Sequence, residues 1–143
     1  MRVLLLSSFL VLSAVIFAQT EQFVNLTQKT KQSYTDRGYV LVDEVSGSAQ
    51  IEEPMVSELL SLEYNTYYIV LVQVDGCIYC DYDLKFVDEN DFLLPVEFDF
   101  FVEDNLKQAI YKFTNDVNKK GKFVVFLDSE LPYFSNIYIF KKK

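Results

Sequence analysis

An uninterrupted apolar segment in the middle of the chain is the sequence feature that most constrains the fold. Residues 66–74 read TYYIVLVQV, and their apolar side chains occupy odd and even positions alike. Successive side chains of a strand point to opposite faces of its sheet, so this strand must be covered on both faces. The segment therefore predicts a strand at the centre of a sheet.

Shorter strand signals surround this segment at the spacing typical of all-β domains. Residues 82–87 alternate between apolar and polar side chains, which predicts a half-buried strand with water on one face. Further strands are predicted at residues 39–45, 49–51, 92–98, 109–114, 122–127 and 136–140. The connections are too short for helical crossovers, so we expect an all-β fold, a mainly antiparallel two-layer sandwich that is jelly-roll-like.

Three segments between these strands have a less regular pattern. Residues 46–48 (Ser-Gly-Ser) predict a turn after the first strand. Residues 55–62 fit either one helical turn or an edge strand, and Pro54 before them cannot donate to a sheet ladder. Residues 100–106 predict irregular structure.

The first 18 residues have the pattern of a secretory signal peptide. Arg2 supplies a positive charge, residues 3–17 are almost wholly apolar, and Ala18 offers a small residue for cleavage. A membrane anchor is the alternative, but the apolar run is shorter than the ~20 residues that span a bilayer. We therefore expect an exported protein of the periplasm, the cell surface or the extracellular fraction, without a membrane span after cleavage.

The mature chain divides into a short leading segment and one domain. Residues 19–37 are polar, and the spacing of Phe23 and Leu26 predicts a short amphipathic helix. Residues 38–143 contain all the strand signals and are predicted to form the sandwich domain.

Charge and the lack of histidine exclude several classes of function. The chain has a formal net charge of −8, and residues 75–104 hold ten acidic side chains and one lysine. Such a protein repels nucleic acids and anionic membranes, so neither is an expected partner. Because the chain has no histidine, Ser-His-Asp and Cys-His catalysis and the usual zinc sites are excluded.

Cys77 and Cys80 form a C-x-x-C motif directly after the central strand. In an oxidising compartment this pair predicts a small disulfide that tightens the corner of a central hairpin. The alternative is a thiol-disulfide oxidoreductase with Cys77 as nucleophile and Cys80 as resolving thiol. The alternation after Cys80 predicts a strand, whereas a thioredoxin-like motif opens a helix, and the nearby Asp75, Asp81 and Asp83 oppose formation of a thiolate.

The acid-rich region makes Ca²⁺ the one candidate cofactor, because carboxylate and amide oxygens are the ligands that this ion prefers. Asp81 and Asp83 follow the cysteines, and Asp88, Asn90 and Asp91 come with the next turn. The spacing is not that of an EF-hand. The alternative interpretation is a solvated acidic face that keeps an exported protein soluble.

Aromatic side chains in predicted loops are candidate ligand contacts. The chain has 10 Tyr and 13 Phe, most of them at alternate strand positions where they are expected in the core. Tyr64, Tyr79, Tyr133 and Phe134 fall in predicted loops, where they could stack on a carbohydrate or contact another envelope protein.

The strand and corner signals follow one another in a distinctive order. Residues 67–70 (Tyr-Tyr-Ile-Val) precede a Gly-Cys corner, residues 81–86 have the form Asp-x-Asp-Leu-x-Phe, and residues 88–90 (Asp-Glu-Asn) predict a turn. Residues 120–125 (Lys-Gly-Lys-Phe-Val-Val) and a terminal strand follow. This order resembles the pre-peptidase C-terminal domains, β-sandwich modules of exported bacterial proteins, over about residues 38–140. The resemblance implies a non-catalytic binding or structural module; the oxidoreductase is the alternative.

Overall fold

One helix and nine strands make up the part of the chain that the computed structural model describes, residues 21–88, 97–103 and 106–142. In chain order these elements are α1 (Glu21–Asp36), β1 (Tyr39–Ala49), β2 (Met55–Val56), β3 (Leu60–Leu62), β4 (Thr66–Asp75), β5 (Tyr82–Asp88), β6 (Glu97–Glu103), β7 (Leu106–Asn115), β8 (Lys119–Leu127) and β9 (Tyr133–Lys142).

The strands form two antiparallel sheets. The large sheet has the order β1-β9-β4-β7-β6, so the first and last strands of the chain lie side by side. In the small sheet β5 pairs with β8 along one side, and β2 and β3 pair with successive parts of the other side. The packing of the two sheets confirms the expected all-β sandwich.

β4 is the central strand of the large sheet, with β9 on one side and β7 on the other. Val70 and Val72 are buried toward the small sheet, and Ile69 and Leu71 are buried on the opposite face. The prediction from the uninterrupted apolar segment is therefore confirmed.

Aromatic rings fill much of the core between the two sheets. Tyr68 stacks on Phe113 with ring centroids 5.5 Å apart, and Phe86 meets Phe123 edge to face at 5.1 Å. Each such side chain contributes about 1.5–3 kcal/mol through burial of apolar area. The inward side chains of β5 are Leu84 and Phe86, as the alternation of that strand predicts.

Helix α1 packs on the outer face of the large sheet and adds a third layer to the predicted two. Phe23 meets the ring of Phe134 edge to face at 5.6 Å, and Tyr34 stacks on Phe140 at 5.2 Å. The outer face needs this cover because its side chains on β4 and β9 are apolar. The helix predicted within residues 19–37 is thus confirmed.

Pairing with neighbouring strands overrides several local turn signals. The turn predicted at residues 46–48 is wrong, because those residues continue β1 and pair with residues 134–136 of β9. Residues 100–103 belong to β6, although irregular structure was expected there. Residues 55–62 form two short edge strands and no helical turn, while the strand predicted at 92–98 falls mostly outside the described residues.

Within the described ranges, no helix has both the length and the apolar character needed to cross a lipid bilayer.

Candidate functional site at the disulfide end

Cys77 and Cys80 are joined by a disulfide, with their Cα atoms 5.4 Å apart. They lie in the connection from β4 in the large sheet to β5 in the small sheet. The expected hairpin is therefore wrong, since the two flanking strands belong to different layers. The expected disulfide is present, and it closes an arch that carries the chain across the core.

The arch begins with a glycine that no other residue replaces easily. Gly76 has φ +84°, in the left-handed region that side chains disfavour. A Cβ atom at this position would lie 3.8 Å from the ring of Tyr133. The chain can therefore leave β4 sharply while Tyr133, the first residue of β9, packs beneath the turn.

Lys107 anchors the arch from the large sheet. Its Nζ donates a hydrogen bond to the carbonyl oxygen of Cys80 and lies 3.6 Å from Oδ1 of Asp81. The ammonium group also lies 5.4 Å from the centre of the Tyr82 ring. The lysine side chain is only 10 % exposed, so these contacts compensate a charge that is largely removed from water.

The sequence contains a signal for Lys107 that our interpretation missed. Lys107 is an odd-numbered residue of β7, like Ala109, Tyr111 and Phe113. Those three side chains face the small sheet, so Lys107 lies on the same face of the strand. A lysine on the apolar face of an alternating strand predicts a buried cation with a specific acceptor.

Two tyrosines that interact electrostatically with each other, Tyr82 and Tyr111, have strongly raised pKa values. Burial raises the pKa of Tyr111 to about 12, and the charge of Asp83 adds to the shift. Burial raises the pKa of Tyr82 further still, with a second contribution from Tyr111. Both phenols therefore remain protonated near neutral pH, and neither supplies a general base there.

The arch is one of three connected loops at this end of the sandwich. Ile51 in loop 50–54 donates its N–H to the carbonyl of Ser129 at 2.8 Å. Asp128 in turn donates its N–H to the carbonyl of Asp81 in the arch, also at 2.8 Å. We call residues 50–54, 76–81 and 128–132 the three-loop end; backbone hydrogen bonds and the disulfide hold its members together.

Each loop of the three-loop end presents one large apolar side chain to solvent. Ile51 is 52 % exposed, Leu131 is 64 % exposed, and Tyr79, at the tip of the arch, is 91 % exposed. Ile51 was expected in a strand that ends instead at Ala49, and Leu131 was not among the candidate contacts. Apolar residues within turn segments were the available signal, but only the fold shows that the three loops meet.

A depression of about 440 Å³ lies between two of these loops, lined by Gln50, Ile51, Glu52 and Glu130. Two carboxylates thus flank an aliphatic side chain. Among the residues that the structure describes, no lysine or arginine forms an ion pair with Glu52 or Glu130, nor with their neighbours Glu53 and Asp128.

The predicted calcium ligands that the structure describes, Asp81, Asp83 and Asp88, do not form one cluster. Asp81 faces Lys107, and Asp83 lies 3.5 Å from Nζ of Lys85. Asp88 ends β5, roughly 20 Å along the strand from Asp81. Asn90 and Asp91 lie outside the described residues. Within the ranges described, no group of three or more potential metal ligands from His, Cys, Asp and Glu was found.

The four candidate aromatic residues also have different locations. Tyr64 precedes β4 and is separated from Tyr79 by the whole ten-residue length of that strand. Tyr133 and Phe134 are not in a loop, because β9 begins at Tyr133 and pairs those residues with Ala49 and Ser48. Tyr79 is therefore the one member of the set that extends into solvent at the three-loop end.

The surroundings of the disulfide differ from those of a thioredoxin-like site. A strand, β5, begins at Tyr82, directly after the arch, and Cys80 is buried against the core. The arch therefore lacks the helix N-terminus that stabilises a reactive thiolate in that class of enzyme.

No protein-family model matches this sequence, and no curated protein or solved structure matches it.

Proposed function

We propose that this protein is an exported, non-catalytic β-sandwich module that binds another macromolecule through the three-loop end. The observation that carries this proposal is the display of Ile51, Tyr79 and Leu131 on three loops fixed to one another. Exposed apolar side chains grouped on connected loops are candidates for an interaction surface, and loops at the end of a sandwich are common binding elements.

The fixed arrangement of the loops favours binding for an entropic reason. A flexible loop loses conformational freedom when it binds, at a cost of about 0.5–1.5 kcal/mol for each ordered side chain. The disulfide and the two inter-loop hydrogen bonds reduce this cost, because the backbone positions are set before the partner arrives. Tyr79 has few rotatable bonds and a large ring, properties that suit an anchor residue.

Export is part of the same proposal. Residues 1–18 have the pattern of a signal peptide, and a disulfide such as Cys77–Cys80 is stable in an oxidising compartment. The proposed location is the periplasm, the cell surface or the extracellular fraction. Mass spectrometry of the exported product should give a mature N-terminus at Gln19; a retained leader would contradict this part of the proposal.

The non-catalytic role is supported by the chemistry of the acid–base groups near the site. The chain has no histidine, and Tyr82 and Tyr111 keep their protons near neutral pH. The resemblance to pre-peptidase C-terminal domains fits this role. Because Asp81 and Asp88 lie roughly 20 Å apart along β5, a calcium site would be limited to Asp88, Asn90 and Asp91, a separate proposal that a thermal melt with and without chelator tests.

Site-specific photo-crosslinking tests the proposal. Benzoylphenylalanine would replace Tyr79, Ile51 or Leu131 in separate variants, and Tyr64 in a matched control, because Tyr64 is a 66 % exposed tyrosine at the other end of β4. Each variant would be irradiated with the envelope and secreted fractions of the producing cells. We expect the same partner, identified by mass spectrometry, in adducts from positions 51, 79 and 131. Adducts from position 64 alone, or from none of the four, would refute the proposal.

A further inference from the structure

We infer that the depression between loops 50–54 and 128–132 receives a lysine or arginine side chain of the partner, which makes the partner a basic polypeptide segment with apolar residues beside the basic one. This inference rests on the proposed function and adds the chemical class of the partner.

The lining of the depression suits a basic side chain with an aliphatic stem. Glu52 and Glu130 belong to different loops, and Ile51 lies in the same lining. A lysine or arginine can pack its methylene groups against Ile51 while its charged group reaches the carboxylates. The volume, about 440 Å³, lies in the ~300–1,000 Å³ range of ordinary ligand pockets.

The hydrogen bond between the two loops fixes the width of the depression. Ile51 N–H donates to Ser129 O, only one residue from Glu130. Loop 128–132 is held further by Ser129, whose Oγ accepts the Leu131 N–H at 3.1 Å and donates to the Leu131 carbonyl at 3.0 Å. The two carboxylates are therefore carried by backbone segments with a defined separation.

The charge around the depression selects the sign of the partner. Glu53 and Asp128 are exposed on the same loops as Glu52 and Glu130, and none of these four pairs with a base in the part of the chain that is described. Unpaired carboxylates attract a cationic partner and repel an anionic one, an effect that the chain's net charge of −8 strengthens. The exposed Ile51 and Leu131 require apolar side chains next to the basic residue.

Three capped synthetic peptides test this inference by NMR titration of the isotope-labelled mature protein. Their sequences are Lys-Leu-Lys-Leu-Lys, Ser-Leu-Ser-Leu-Ser and Glu-Leu-Glu-Leu-Glu. We expect the lysine peptide alone to bind saturably and to shift the backbone amides of residues 50–53 and 128–131. In the double variant Glu52→Gln/Glu130→Gln the dissociation constant should rise roughly five- to tenfold, since two partly exposed ion pairs are lost.

The matched control is Glu58→Gln, which removes an exposed carboxylate between β2 and β3. This variant should bind the lysine peptide like the wild type. Because Glu52 and Glu130 are exposed, the double variant should keep the wild-type amide spectrum outside the two loops, which checks that it folds.

Several results would overturn the inference. Equal binding of the serine or glutamate peptide would remove the requirement for a base, and equal weakening by Glu58→Gln would make the effect non-local. A neutral sugar such as cellohexaose, shifting the amides around Tyr79 independently of Glu52 and Glu130, would assign the site to carbohydrate. Absence of shifts with all three peptides at millimolar concentration would also overturn it. The crosslinking experiment remains independent, because adducts at positions 51, 79 and 131 do not depend on a basic partner.

Discussion

The two ends of the sandwich are held together by different chemistry. At the three-loop end a disulfide and inter-loop backbone hydrogen bonds fix the loops, and the exposed Glu52 and Glu130 form no ion pair with any residue that the structure describes. At the other end, which we call the asparagine end (residues 63–65 and 115–118), two asparagine side chains bond to backbone groups of the loops. Asn115 donates from Nδ2 to the carbonyls of Glu63 and Val117, and the Oδ1 of Asn118 accepts the Tyr64 N–H at 2.8 Å.

The glutamates next to the exposed apolar side chains also differ between the two ends. Nζ of Lys141 donates to Oε1 of Glu63 at 2.6 Å, so this carboxylate at the asparagine end is neutralised within the molecule. Glu52 and Glu130 at the three-loop end line an open depression instead. Both ends expose a tyrosine, Tyr64 or Tyr79. Exposure alone therefore does not distinguish the two ends, and our proposal for the three-loop end depends on the connected loops and the open depression as well.

The largest expected effect on stability comes from removing Asn115. Its side chain is buried and donates to two carbonyls, so Asn115→Ala leaves both without this partner and should lower the free energy of unfolding by about 2–3 kcal/mol. Urea denaturation measures the change. Asn118→Ala is the control, and we expect a loss of about 1 kcal/mol because one exposed hydrogen bond is removed. Equal losses in the two variants would contradict the special role of Asn115.

Removal of the disulfide should have the next largest effect. Cys77→Ser/Cys80→Ser opens a very short covalent loop, so the loss of unfolding free energy should lie near the lower end of the usual range, about 2 kcal/mol. The same variant tests the oxidoreductase alternative in an insulin-reduction assay. We expect wild type and variant to give the same background rate; a rate that depends on the two cysteines would establish redox catalysis and refute the non-catalytic role.

Alkaline pH should destabilise the protein through the ionisation of Tyr82 and Tyr111. Phenols of an unfolded chain ionise near pH 10, whereas burial raises the pKa of Tyr111 to about 12 and that of Tyr82 further. The resulting stability is fully present below about pH 10 and is lost as the pH rises toward 12, because the unfolded chain releases its protons first. Urea midpoints and near-ultraviolet absorbance of tyrosinate measure this loss. A midpoint unchanged up to about pH 12 would contradict it.

The smallest expected effect on stability is that of the two exposed tyrosines. Tyr79→Ala and Tyr64→Ala should each change the free energy of unfolding by less than about 0.5 kcal/mol, because both rings lie mostly in solvent. A large loss in Tyr79→Ala would show that the ring supports the fold, and would remove the reason to regard it as a presented contact.

Local sequence patterns predict where the strands of this molecule lie better than they predict which residues contact one another. β4 is recognisable because a strand buried on both faces is apolar at nearly every position. β5 is recognisable because a strand buried on one face alternates between apolar and polar residues. The Ser-Gly-Ser segment of β1 misleads, since its turn propensity is weaker than the pairing of β1 with β9. The start of β9 at Tyr133 is likewise fixed by this pairing with the end of β1.

The candidate site is predicted only in part for a related reason. The disulfide and the exposure of Tyr79 follow from a short motif in a local turn. The meeting of Ile51 with loop 128–132 depends on residues far apart in the chain, and no periodicity encodes it. Lys107 was overlooked because its partner, the carbonyl of Cys80, is a backbone atom that any residue could supply.

The central claim is that the three-loop end, and not the asparagine end, binds the partner. Its most direct test is the affinity of the crosslinked partner for wild type, Tyr79→Ala and Tyr64→Ala, measured by isothermal titration calorimetry with protein that comprises residues 19–143. We predict at least tenfold weaker binding for Tyr79→Ala, as expected when an aromatic anchor is lost, and unchanged binding for Tyr64→Ala. Unchanged binding for Tyr79→Ala, or a greater loss for Tyr64→Ala, would contradict the claim.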